Sequence, residues 1–265
     1  ASTFSPRASG EITFAVDPRK KQCVVSSESY EAGENHSTIP IDVIKGRDEK
    51  DATSYDSKEI KLEKLGKMKI GLPEINIQDK RIEKLINERV NEIARRKNWE
   101  VKKINLKHID LGVQTYYPIC YVEFFSSTRR FDGRKYGKKI EDFSGKEVLR
   151  RILGGSEISK AEFKGLYYRR ALKAKELIKR EFENAFKNVD CIVMPTVPRL
   201  PHKLGSKISV EEMYSYDVLT VLANLAELPA ISIPAGKIEG IPVGLQIICP
   251  RFHENRMFKI AEKFE

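Results

Sequence analysis

The chain has 265 residues, with 48 Lys and Arg against 38 Asp and Glu and a formal net charge of +10. Hydrophobic residues make up 40% and charged residues 32%, enough for a sizeable core under a densely charged surface, and no apolar run approaches the roughly 20 residues that cross a bilayer as a helix. The four cysteines, Cys23, Cys120, Cys191 and Cys249, are scattered without a CxxC pair and histidines are few, which argues against a zinc site and for a reducing, intracellular setting.

The chain starts on Ala rather than Met, from which a processed or incomplete polypeptide is expected. Residues 1–65 are polar and without clear periodicity, so loops around one or two short strands are expected there. KMKIGLP then reads as a strand stopped by Gly71 and Pro73. Asp79 is placed to cap a helix whose apolar set Ile82, Leu85, Ile86, Val90 and Ile93 falls on one face. WEVKKINL, residues 99–106, alternates like a strand, and strand–helix–strand in this order predicts a parallel crossover and an α/β fold. Ser144 with Glu147, Ser159 with Glu162 and Ser209 with Glu212 have the spacing of capping boxes, and one long helix is predicted from about Lys160 to Phe186. VDCIVMP, residues 189–195, reads as a buried strand, with Cys191 and Cys249 as packing residues. Two apolar strands, Ala230 to Pro234 and Val243 to Ile248, flank a Gly/Pro-rich turn; strands of this composition are normally covered on both faces. Residues 253–264 form a final helix.

The positive charge is concentrated: residues 129–188 hold 18 Lys and Arg against 9 Asp and Glu. Two readings fit, a set of solvated helix faces or a surface that meets nucleic acid.

Six stretches stand in a recognisable order: IKGRDEKDATS (44–54), YYPICYVEFFSSTRRFDGRKYG (116–137), GKEVLRRILGG (145–155), VDCIVMPTVP (189–198), MYSYDVLTVLANLAELPAISIPAG (213–236) and GIPVGLQIICP (240–250). Together they resemble the amidase signature family from about Ile44 onward, and within it the glutaminase subunits of tRNA-dependent amidotransferases. The resemblance implies an α/β fold, a mixed β-sheet covered by helices. Residues 66–265 would be the C-terminal part of a single domain and 1–65 a separate N-terminal segment.

That family hydrolyses amides with a Ser–cis-Ser–Lys triad beside a glycine-rich loop whose N–H groups approach the oxyanion. Both features lie N-terminal to the matching stretches, and no counterpart stands out here. Before Gly66 the glycines are Gly10, Gly33 and Gly46 alone, Lys45 sits in a segment that fits a later part of the family pattern, and the paired serines Ser26–Ser27 and Ser126–Ser127 lack flanking glycines. No catalytic residue is therefore assigned. The expectation is a truncated or split glutaminase subunit that needs a separate chain carrying the catalytic half, its sheet exposing an apolar edge.

Substrate recognition is carried over by resemblance. Arg151 would pair with the α-carboxylate of glutamine, for which a forked guanidinium is suited. Asp217 would hold the α-ammonium, and Tyr116, or its neighbour Tyr117, would line the pocket. No cofactor is expected in this chain; ATP and Mg²⁺ belong to a B-type partner subunit that binds tRNA and, with a C-type subunit, completes the complex. The setting implied is cytoplasmic, with an organelle as the alternative. Other amidases of small amides, and a noncatalytic RNA-binding or scaffold protein on the same fold, are the competing readings.

Overall fold

The computed structural model describes residues 65–75, 77–135 and 137–264, together with the backbone of three strands nearer the N-terminus. The chain divides into two compact units, Ala1–Glu63 and Lys64–Glu265. In the first, β1 (Ile12–Asp17), β2 (Gln22–Ser29) and β3 (Ser37–Thr38) form an antiparallel sheet in the order β1-β2-β3. That is three strands where one or two were expected. Lys45 lies outside the described residues.

The second unit is built on a five-stranded sheet: β4 (Lys69–Pro73), β5 (Glu100–Ile104), β6 (Cys191–Pro195), β7 (Ala230–Ile238) and β8 (Ile241–Ile248), in the order β5-β4-β6-β8-β7. β4 is parallel to both β5 and β6, whereas β8 runs antiparallel to β6 and β7. The sheet is therefore mixed. The predicted crossover is present: α1 (Lys80–Lys97) joins β4 to parallel β5. Asp79 caps α1 by accepting from the Arg81 N–H at 3.0 Å. Ile82, Ile86, Val90 and Ile93 form its buried face. Asn98, left-handed at φ 55°, ends the helix, and the Trp99 N–H returns to the Ala94 carbonyl at 2.8 Å.

β6 is buried at every position, as is β8 from Leu245 onward, so the middle of the sheet is covered on both faces. β7 is not. It is an edge strand, with Ala230, Ser232 and Pro234 exposed between buried or half-buried neighbours. The predicted Gly/Pro-rich turn is mostly strand: β7 continues through a bulge at Gly236 to Ile238, and the chain reverses over Glu239 and Gly240, both at positive φ. Positive φ at both central residues is the geometry that matches strand twist in a two-residue hairpin.

A layer of helices follows: α2 (Gly112–Thr128), α3 (Ile140–Phe143), α4 (Lys146–Ile158), α5 (Leu166–Ala185), α6 (Val210–Ser215) and α7 (Thr220–Ala226), with α8 (Glu254–Phe264) closing the chain. α2 packs on α4, α5 and α7, and α8 on β7 and β8. One of the three predicted capping boxes forms. Ser209 accepts from the Glu212 N–H at 3.1 Å while the Glu212 carboxylate accepts from the Ser209 N–H at 3.0 Å. At α4 the N-cap is Gly145 without a side-chain bond, because Glu147 is drawn to arginines instead. Ser159 ends α4 rather than starting a helix. The predicted 160–186 helix is interrupted: Lys164 and Gly165 adopt left-handed φ of 46° and 69°, separating a single 3₁₀ turn at Ala161–Phe163 from α5.

Candidate substrate-binding site

The residues singled out from sequence lie on three separate segments of the chain. Tyr116 and Tyr117 are in α2, Arg151 is in α4, and Asp217 is in the turn between α6 and α7. The fold brings them into one cluster. The Tyr117 hydroxyl donates to Asp217 Oδ2 at 2.5 Å. Its ring stacks on Tyr214 at 3.9 Å between centroids and lies 5.9 Å from the Arg151 guanidinium. Tyr116 stands edge-on to Tyr117 at 5.4 Å. Of the two tyrosines, Tyr117 is the buried one that holds Asp217, and Tyr116 is half-exposed beside it.

Close helix packing makes this possible. A Cβ at Gly155 would run into the Tyr121 carbonyl oxygen, and one at Gly154 would lie 2.5 Å from the Tyr121 ring. The Gly154–Gly155 pair in α4 thus lets α2 approach to backbone contact. Gly112, at the start of α2, does the same toward α7, where a Cβ would meet Leu222 at 2.9 Å. The turn carrying Asp217 is anchored to the sheet by buried Gln246 of β8, whose side chain donates to the Leu219 carbonyl at 3.4 Å.

Arg151 is fixed by Glu147 one helical turn earlier, Nε to Oε1 at 3.1 Å, and its Nη1 lies 3.7 Å from Cys120 Sγ. The same Glu147 oxygen accepts from the Tyr214 hydroxyl at 3.3 Å, and its other oxygen pairs with Arg150. The Tyr121 and Tyr214 hydroxyls are hydrogen-bonded to each other. Burial pushes the phenols of Tyr117, Tyr121 and Tyr116 above the ordinary tyrosine range, and the hydrogen bond to anionic Asp217 adds to the shift at Tyr117. These tyrosines stay neutral donors. Burial works against the charge on Arg151, but its bond to Glu147 and neighbouring acidic groups outweigh it and the pKa is raised. The cluster therefore sets Arg151, tethered by Glu147, and the Asp217 carboxylate beside the same neutral tyrosine, Tyr117. An amino-acid zwitterion has the complementary pair of charges.

Sequence reading missed Glu147, Tyr121 and Tyr214. Glu147 stands three residues after Ser144, the spacing of a cap, but also four before Arg151, which is the signal for a helical ion pair. Tyr121 follows Tyr117 by one turn, and the Gly-Gly pair in α4 marks where it is met. Tyr214 carried no local signal. Among the paired serines, Ser127 is an exposed helix-end residue whose hydroxyl bonds back to the Phe124 carbonyl at 3.1 Å. Among the described residues no group of three or more His, Cys, Asp or Glu is arranged to hold a metal ion, and no helix is long and apolar enough to cross a membrane.

A mixed sheet under a layer of helices is an architecture this chain shares with solved proteins of the amidase class. The Amidase family profile matches residues 38–258, and the chain belongs to the amidase signature family. It is 46% identical over 225 residues to the A subunit of glutamyl-tRNA(Gln) amidotransferase from Methanocaldococcus jannaschii, covering 84% of this chain and 52% of that protein. It is 47% identical over 215 residues to the protein of the same name from Methanothermobacter thermautotrophicus, covering 79% and 47%. Among solved structures it is similar to the A subunit of glutamyl-tRNA(Gln) amidotransferase from Thermotoga maritima, with a TM-score of 0.59 and 31% identity over 75% of this chain and 42% of that one. A bacterial aryl acylamidase shares the fold at a TM-score of 0.63 and 18% identity over 75% of this chain and 43% of that one. The chain spans about half the length of the curated relatives it matches.

Proposed function

We propose that this chain is the glutamine-recognising part of an A-type amidotransferase subunit, which hydrolyses glutamine and supplies ammonia for converting Glu-tRNA(Gln) to Gln-tRNA(Gln). The observation that carries this reading is the convergence of Arg151 and Asp217, 66 residues apart along the chain, on the Tyr116–Tyr117 wall. The Arg151 fork takes the α-carboxylate, its orientation preset by the Glu147 tether. Asp217 takes the α-ammonium. Tyr117 already engages one of its oxygens, which aims the carboxylate. Tyr116 covers the aliphatic stem. Holding both ends of the amino acid fixes where the side-chain amide lies, and that positioning is what the chemical step draws on.

In this reading the nucleophilic serine, its bridging serine and the lysine come from the catalytic half, on a segment outside the six matching stretches or on a separate chain. The partners are a C-type subunit and the B-type subunit that binds ATP, Mg²⁺ and the tRNA, in the cytoplasm or an organelle. Ammonia then passes to glutamyl-tRNA activated on the B-type subunit.

The test is isothermal titration of the full chain with glutamine and with propionamide, for wild type and Arg151→Ala. Glutamine binding that falls at least about tenfold in Arg151→Ala, the loss of one charge-assisted hydrogen-bonded pair, with no binding of propionamide, supports the reading. Equal binding of both ligands, unaffected by the substitution, would instead assign the site to simple amides.

A further inference from the structure

Away from the tyrosine cluster, the edge strand β5 and the C-terminal half of α5 enclose a cleft of about 650 Å³. Lys102, Lys103, Lys107 and Arg180 line it, with the amide side chains Asn105, Asn184 and Asn188 between them. The one carboxylate in the lining, Glu181, is already engaged. It accepts from the backbone N–H groups of Lys107 and of His108, the latter at 2.9 Å, and lies 3.4 Å from His108 Nδ1. Other acidic partners sit at the rim: Glu100 is 3.7 Å from Lys102, Glu74 is 3.9 Å from Lys103 and Glu176 is 3.1 Å from Arg180. These are exposed pairs, which contribute little to stability.

The cations are spread along the cleft on β5, the segment after it and α5, rather than gathered at one point. The exposed face of α5 also extends the track: Arg170, Lys173, Leu177 and Arg180 recur at alternating spacings of three and four, all exposed. A single phosphate would engage only part of such a track. A repeating anion meets cations on both sides of the cleft, and the asparagine amides can hydrogen-bond to unstacked base edges. We propose that this cleft binds the phosphodiester backbone of a single-stranded nucleic acid. The inference stands apart from the glutamine reading, since none of these residues touches the tyrosine cluster, and either can fail alone.

The experiment is fluorescence anisotropy of the full chain with a labelled single-stranded RNA of about 20 nucleotides, long enough to fill one binding groove, titrated between about 50 and 200 mM salt. The double variant K102E/R180E is expected to weaken binding at least tenfold. It should also lower the salt slope by about 1.4, the loss of two contacts on a single strand. K84E/K160E removes the same charge elsewhere and is expected to change affinity much less. DNA of the same sequence identifies the source: tighter RNA binding points to RNA, and equal binding to the backbone common to both. Equal weakening by the two double variants, absence of binding, or full displacement of the strand by low-millimolar inorganic phosphate would each overturn the proposal. Ultraviolet crosslinking of the wild type decides independently of variant folding. Crosslinked peptides from 102–108 and 177–188 support the cleft, and peptides exclusively from elsewhere refute it.

Discussion

The Tyr117 hydroxyl reaches Asp217, 100 residues further along the chain, at 2.5 Å. This contact joins α2 to the turn that opens α7, and it fixes the Asp217 carboxylate on the tyrosine whose ring lies 5.9 Å from the Arg151 guanidinium. Tyr117→Phe keeps the stack on Tyr214 and removes only the donor. It is expected to cost about 1.5–3 kcal/mol, the range for a hydrogen bond to a charged group. Urea denaturation measures that cost. Glutamine affinity should fall in parallel, because Asp217 loses its orientation.

Gly155→Ala tests the close approach of α4 to α2. Alanine favours a helix over glycine by about 1 kcal/mol, so an exposed site would gain. Here the new methyl collides with the Tyr121 carbonyl, backbone that has no rotamer with which to retreat. A net loss of about 1–3 kcal/mol is expected from overpacking. Gly66→Ala, with nothing within 4 Å of the added carbon, is expected to be near neutral in the same thermal melt.

The capping serines separate by experiment. Ser209→Ala removes a two-way capping box and should cost about 1 kcal/mol. Ser144 has a buried hydroxyl without a hydrogen-bond partner, so Ser144→Ala should leave stability unchanged or raise it. Parallel denaturant titrations distinguish the two outcomes.

Two glutamates should bend the pH profile in opposite directions. Glu227, left-handed at φ 59°, lies 2.8 Å from Lys179 and 2.9 Å from Lys175, and the bonds from these lysines lower its carboxyl to about 2. Its contribution is complete above the unfolded value of about 4.3 and is lost as the pH falls toward 2. Glu227→Gln is expected to cost about 1 kcal/mol at neutral pH, a figure kept small by solvent screening, and the cost should vanish in acid. Burial raises the pKa of Glu254 at the start of α8, so the folded state favours its protonated form. Its contribution is greatest at low pH and declines as the pH rises through its folded value. Glu254→Gln should therefore stabilise the protein at neutral pH and not in acid. Unfolding free energies measured from acid to neutral pH check both signs.

Sequence alone determined the elements whose signals are local. The 3.6-residue spacing of Ile82, Ile86, Val90 and Ile93 specified one buried helix face, and the apolar run of β6 specified a strand covered on both sides. The strand–helix–strand order around α1 specified a parallel crossover, because a short loop cannot join parallel neighbours. The order of six motifs specified the amidase family, and it pointed to Arg151, Asp217 and the Tyr116–Tyr117 pair. Tertiary structure decided what those residues touch. Whether Tyr116 or Tyr117 holds Asp217 depends on the rotation of α2 against α7, which is set by contacts at Gly112 and Gly155 with residues remote in sequence. Glu147 fits a capping box by spacing, yet it serves Arg151 and Tyr214, since two arginines and a phenol engage it while the Ser144 N–H already donates to the Ile140 carbonyl. The break at Lys164 and Gly165 was hidden for a related reason: helix propensity over a run of good formers is a weak preference that packing overrides. A cap or a periodic face is written within a few residues, but the partner of a buried phenol is chosen only when separate helices meet.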